Sequence, residues 1–271
     1  MPAFYDTHAH LTYPDFAPDF GEVLQRAQAA GIKRMICIGT DLESSRAAIR
    51  LAEANESIYA VAGWHPNHTQ DAPEDVRPML RELAKHPKVV ALGETGLDYF
   101  RLPNPKGPDA SKAEPVKRRQ AALFVQHLEV AAETNLNCVI HQRGDCFADT
   151  LALMEPFAGR VRGQFHCFAG TVEQMQRVLA MGSIVSFTGI ATFKNGQNVR
   201  DVIAATPSGK FMLETDCPYL APEPYRGKRC EPAYVKEIAR VAAQAKGCPL
   251  ENLSGATCQT AHEFFPKLPR A

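Results

Sequence analysis

Residues 3–10, AFYDTHAH, begin as an apolar run and end on two histidines separated by one alanine. So short a run, rich in aromatic and apolar residues, predicts a strand buried on both faces. Side chains alternate along a strand, so His8 and His10 point the same way at its C-terminal end. An H-x-H pair alone is weak evidence. Its meaning depends on how the rest of the chain ends its strands.

Seven further runs take the same form: 34–40 RMICIGT, 57–65 SIYAVAGWH, 88–96 KVVALGETG, 137–142 NCVIHQ, 162–168 RGQFHCF, 183–189 SIVSFTG and 211–217 FMLETDC. Amphipathic stretches alternate with them, predicting helices over 19–30, 44–55, 75–85, 116–135, 145–157, 172–181, 198–205 and 232–246, the first closed by Gly31. Eight β–α units in order imply a parallel sheet with right-handed crossovers, and a count of eight favours closure into a (β/α)8 TIM barrel. No G-x-G-x-x-G follows the first strand, which removes the usual sign of a dinucleotide fold. The 271 residues suit one such domain over 1–271, since a barrel typically needs ~250. Residues 101–115, RLPNPKGPDASKAEP, read as a loop after the fourth strand.

With 45% hydrophobic and 22% charged residues, the chain has the composition of a globular protein. Thirty basic and 30 acidic residues cancel, which argues against a protein coating nucleic acid over a broad face and leaves room for a local basic patch. The eight cysteines form no C-x-x-C pair and several lie in apolar runs, so they are expected to be reduced, as in the cytoplasm. The N-terminus lacks the form of a signal peptide, and no apolar run approaches a membrane span. No obligate protein partner is evident.

Ligand-type residues then collect at one end of the predicted barrel. His8 and His10 close the first strand, His65 the third, Glu94 the fourth, His141 the fifth, His166 the sixth and Asp216 the eighth. In a closed parallel barrel these ends share one rim. Singly, each has an ordinary reading as a packed or surface residue; six nitrogen and oxygen ligands at one rim suit a pair of metal ions with a bridging carboxylate. Glu94 is the expected bridge, with His8, His10 and Asp216 on one ion and His141 and His166 on the other. His65 has no evident partner and is read as a substrate or leaving-group contact. Asp6 is expected to support the ligands from the face of His8, one step deeper. Arg143 and the cluster Arg226, Lys228 and Arg229 could hold a phosphodiester, while Trp64 and Phe168 are candidates for the pocket wall or the core.

At these residues the chain resembles a known family. FYDTHAHL, GWHPN, ALGETGLDYFR, VIHQRGDCFADTL, FHCFAGT and LETDCPYLAPEPYRGKRCEPAYV are similar to the TatD family of metal-dependent hydrolases, in order, to about residue 235. The resemblance implies an amidohydrolase-type TIM barrel with two divalent ions (Zn, Mn or Mg) and deoxyribonuclease activity, often 3′-to-5′ exonucleolytic on DNA ends. It implies His8, His10, Glu94, His141, His166 and Asp216 as ligands and His65 at the substrate phosphate. Metal-activated hydroxide would attack, with Asp216 helping to orient or deprotonate the water. The 101–115 stretch is longer than usual in that family and Cys230 stands where asparagine is common, departures that bear on substrate preference. Two other readings follow from the same ligands: an amide or ester hydrolase such as a D-aminoacyl-tRNA deacylase, and a non-catalytic metal-binding scaffold.

Overall fold

The computed structural model describes residues 2–103 and 110–269. Strands β1 (Phe4–Ala9), β2 (Ile32–Ile38), β3 (Ile58–Ala62), β4 (Val89–Asp98), β5 (Asn137–Arg143), β6 (Gly163–Phe165), β7 (Ile184–Phe187) and β8 (Phe211–Leu213) form one eight-stranded sheet in sequence order. Every adjacent pair is parallel. The sheet comes close to closing: the His10 N–H donates to the Cys217 carbonyl and the Asp216 N–H to that of His8, both at 2.9 Å. The seam between first and last strands is thus tied at the rim that carries the predicted ligands. This is the expected TIM barrel.

Helices α1 (Phe20–Ala29), α2 (Leu42–Ala54), α3 (Arg77–Ala84), α4 (Ala113–Thr134), α5 (Phe147–Met154), α6 (Val172–Ala180), α7 (Gln197–Ala205) and α8 (Val235–Lys246) follow the strands in turn. Local chemistry sets where some of them begin. Asp41 and Ser44 cap α2 reciprocally, and Thr171 and Gln174 do the same for α6, satisfying N–H groups that the first turn leaves without partners. Strands β1, β3, β4 and β7 are buried at every position, because helices cover one face and the barrel interior the other.

A further helix, α9 (Leu250–Phe264), goes beyond the eight expected. It packs against β1 and β8 and, with Phe265 and Leu268, joins a cluster of Tyr5, Ile36, Tyr59, Val90, Val139 and Met212. Tyr5, Tyr59, Val90 and Met212 sit near the starts of their strands, so the C-terminal segment closes the end of the barrel opposite the ligands. Its buried face includes Ser254, Thr257 and Thr260, too polar to stand out as an apolar stripe.

Several strands are shorter than expected at their C-terminal ends, so His65, His166 and Asp216 lie just beyond β3, β6 and β8 rather than within them. Strand β4 differs the other way. It continues to Asp98, placing Glu94 inside it. Between Leu92 and Thr95, β4 advances three residues against two on β5, and such a bulge re-aims a side chain. The flanking glycines make this possible: a Cβ on Gly93 would lie 2.5 Å from the Val139 carbonyl oxygen and one on Gly96 2.1 Å from that of His141. A similar slip in β1 between Asp6 and Ala9 breaks the simple alternation expected to align Asp6 with His8. Of the loop expected at 101–115, residues 104–109 lie outside the described residues, and α4 already begins at Ala113.

Candidate metal centre

Glu94 is the middle of the site, and its two carboxylate oxygens face different partners. Oε2 lies 3.4 Å from His8 Nε2 and 3.8 Å from His10 Nε2. Oε1 lies 2.8 Å from both His141 Nδ1 and His166 Nε2, and 3.4 Å from His65 Nε2. Asp216 completes the first group, its Oδ1 being 3.6 Å from His8 Nε2 and 3.4 Å from His10 Nε2. Three sets of ligand atoms each fall within 4.8 Å of one another: His8, Glu94 and His166; His8, His10 and Asp216; His65, Glu94 and His141.

Burial sets the electrostatics. Burial would raise the Glu94 pKa, but His166, His65 and His8, with the hydrogen bond from His141, outweigh it and hold the carboxyl well below its ordinary range. Asp216 is lowered in the same way against its desolvation, chiefly by His10 and His8. Desolvation pushes His65 down to about 4 and also lowers His8. His141 and His166 are raised against their burial, the first by Asp98 and Glu94, the second by Glu94 and Glu214.

Two buried carboxylates missed in the sequence stand behind the imidazoles. Asp98 Oδ2 lies 3.3 Å from His141 Nε2 and accepts from the Asn67 amide at 3.1 Å, while Oδ1 accepts the Phe100 and Arg101 N–H groups. His141, with the hydrogen bonds from Asn67 and the Arg101 N–H, brings the Asp98 pKa to about 2 against its desolvation. Glu214 accepts the Cys167 N–H at 2.6 Å and the Gln164 amide at 2.8 Å, and lies 3.6 Å from His166 Nδ1. The signal was even spacing: Asp98 follows Glu94 by four residues in GETGLD, and Glu214 precedes Asp216 by two in ETD. Asp6 instead accepts both the N–H and the hydroxyl of Thr215, bracing the residue before Asp216.

The residues suit divalent ions. His8 Nδ1 and Nε2, His10 Nδ1 and His166 Nδ1 are buried without hydrogen-bond partners, a costly arrangement for an imidazole with nothing to bind. The donor set is all imidazole nitrogen and carboxylate oxygen, and Asp98, 3.3 Å from His141 Nε2, stands where an outer carboxylate would orient a histidine that binds a metal. Above Glu94 opens a cavity of about 710 Å³ whose wall includes Tyr13, Arg101, Arg143, Phe168 and Tyr219.

A family model described as TatD related DNase matches residues 5–266. The chain belongs to the TatD-related DNase family. It is therefore a member of a family of metal-dependent hydrolases. It is 38% identical to the Bacillus subtilis (strain 168) protein named uncharacterized metal-dependent hydrolase YabD, over 96% of this chain and 98% of the relative. It is 34% identical to the Pantoea vagans (strain C9-1) protein named 3′-5′ ssDNA/RNA exonuclease TatD, over 96% and 98%. The solved structure of YJJV, a TatD homologue from Escherichia coli K12, superposes with a TM-score of 0.88 at 28% identity, covering 98% of both chains.

Within this TatD-family barrel, several sequence expectations land elsewhere. His65, expected to lack a partner, lies 3.2 Å from His141 Nδ1, inside the ligand cluster. Arg143 reaches the cavity wall, but Arg226 is not among the residues lining it. The Arg226 guanidinium lies 3.8 Å from the Phe193 ring centroid and donates to the Ala221 carbonyl. Arg229 is paired with Asp19 at 2.7 Å. The cluster read as phosphate-binding therefore has intramolecular partners. Phe168 lines the cavity and Trp64 is packed in the core. All eight cysteines are free thiols, and among the described residues no helix is long and apolar enough to cross a membrane.

Proposed function

We propose that this chain hydrolyses phosphodiester bonds at the ends of single-stranded nucleic acid, DNA foremost, as a 3′-to-5′ exonuclease dependent on two divalent ions. The observation that carries the reading is the divided carboxylate of Glu94, one oxygen toward His8 and His10, on which Asp216 also converges, and the other toward His141 and His166. Those residues would hold the two ions, with Glu94 shared. Zn, Mn or Mg bound there would supply Lewis acidity, lowering the pKa of water and offsetting charge on the phosphoryl oxygens.

The chain's own groups do the rest. Asp216, kept ionised, accepts a proton from the attacking water. His65 Nδ1 accepts the Asn67 N–H at 3.1 Å, so the proton of the neutral ring sits on Nε2. With its low pKa, His65 acts as a neutral hydrogen-bond donor to a phosphoryl or leaving oxygen rather than as a cation. Positive charge comes from Arg143 and Arg101 on the cavity wall. A nuclease gripping only a chain end needs few phosphate contacts, consistent with zero net charge. The relative named as an ssDNA/RNA exonuclease adds support.

The test is protein stripped of metal, refilled with Mg, Mn or Zn and given end-labelled single-stranded DNA. Stepwise release of mononucleotides from the 3′ end in a metal-dependent manner is expected. No metal-dependent product from the wild type overturns the reading.

A further inference from the structure

The large apolar side chains exposed among the described residues are Phe100, at 67%, and Tyr219, at 53%. Exposed apolar residues scattered singly are ordinary. These two are not scattered. Tyr219 lines the cavity, and the Phe100 ring lies 4.5 Å from the guanidinium of Arg143, another lining residue.

Tyr219 is also held in place. Its backbone N–H donates to the Asp216 carbonyl at 3.0 Å, tying the Tyr219 main chain to the loop that carries a candidate ligand. The ring packs edge-on against Tyr13 at 6.3 Å and against His10 at 6.4 Å, and Tyr13 itself stacks on His10 at 4.8 Å. Its other surface stays open to solvent. Arg101 lines the same cavity, so cationic groups and an open aromatic face border one space.

We infer that Tyr219 is the stacking platform for the terminal nucleobase of a single-stranded nucleic acid, with Arg101 and Arg143 on the adjoining phosphates. The inference rests on the nucleolytic reading above and adds how the chain end is gripped. Every base presents a π face, so such a platform tolerates sequence. It also disfavours a duplex end, whose bases are already paired and stacked.

The experiment uses two end-labelled oligonucleotides differing only in the terminal nucleoside, base-bearing in one and abasic in the other, prepared for each polarity. Wild type, Tyr219→Ala and Tyr219→Phe are compared with the metal that supports turnover. The wild type should favour the base-bearing end by about tenfold in KM, a typical effect of one stacked base. Tyr219→Ala should abolish that preference by raising KM for the base-bearing substrate alone, with kcat within about twofold; Tyr219→Phe should behave as wild type. Cleavage in which Tyr219→Ala affects both substrates equally, or neither, overturns the stacking role and leaves the nucleolytic reading standing. Failure of the wild type to cleave either substrate overturns both.

Discussion

Asp98 stands directly behind His141, its carboxylate 3.3 Å from Nε2 while the opposite ring nitrogen lies 2.8 Å from Glu94. A carboxylate in that position fixes the ring's orientation and increases its basicity as a ligand. Asp98→Asn keeps the shape and removes the charge. Metal affinity, measured by chelator competition, should fall by roughly 10- to 100-fold. An unchanged affinity would mean that Asp98 serves only to order the Phe100–Arg101 turn.

Metal should also stabilise the fold, because the preformed ligand cluster exists only in the native state. At a free ion concentration about 100 times Kd the gain is roughly 2.7 kcal/mol, or several degrees in Tm for a chain of this size. His141 and His166 have raised pKa values in the metal-free protein, so bound protons compete with the ion. The gain should therefore shrink as pH falls and those imidazoles hold their protons. Calorimetric scans with and without Mn at pH 8 and pH 6 check this; a larger shift at the lower pH contradicts it.

The two arginines read alike in sequence should behave differently in solution. Arg143→Ala removes a cation from the cavity wall, so KM for an oligonucleotide should rise several-fold and its salt dependence should weaken. Arg226 packs on Phe193 and holds the Ala221 carbonyl; Arg226→Ala should lower thermal stability and leave the salt dependence of KM intact. Steady-state kinetics over a salt series separates the two.

His127 offers a pH test away from the candidate metal centre. Buried in α4, it accepts the Trp64 N–H at Nε2 (2.9 Å) and donates from Nδ1 to the Leu123 carbonyl (2.7 Å), which uses both nitrogens of one neutral tautomer. Desolvation lowers its pKa to about 4, against ~6.5 when unfolded. Protonation thus favours the unfolded chain. The stability contributed by the neutral ring is complete above ~6.5 and is lost as pH falls toward about 4, by roughly 3 kcal/mol in all. Urea unfolding with chelator present should show wild type losing stability relative to His127→Gln across that range. A gap that stays constant with pH contradicts it.

The barrel was legible because alternation of apolar runs and amphipathic stretches is a local signal repeated along the chain. The ligand-type residues were legible because parallel strands bring their ends to one rim, so counting strands was enough to collect His8, Glu94 and Asp216. What the pattern could not carry was partnership. Gly96 read as the end of β4, whereas it lets the backbone approach His141 closely, and so Asp98 was passed over. Arg226 showed its charge but not the ring beneath it. The polar buried face of α9 hid a helix whose role, closing the barrel floor, depends on contacts distant in sequence, such as Ser254 with the Ala3 carbonyl 251 residues earlier.

The central claim is that Glu94 joins two ions in a phosphodiesterase site. It is tested most directly by titrating Mn into metal-free wild type and Glu94→Gln, counting bound ions per chain and measuring 3′-end release from single-stranded DNA on the same samples. Wild type should saturate at two ions as activity reaches its plateau, whereas Glu94→Gln should hold fewer and lose activity by at least about a hundredfold. Full activity in Glu94→Gln, or a wild type fully active with one ion, would contradict the account.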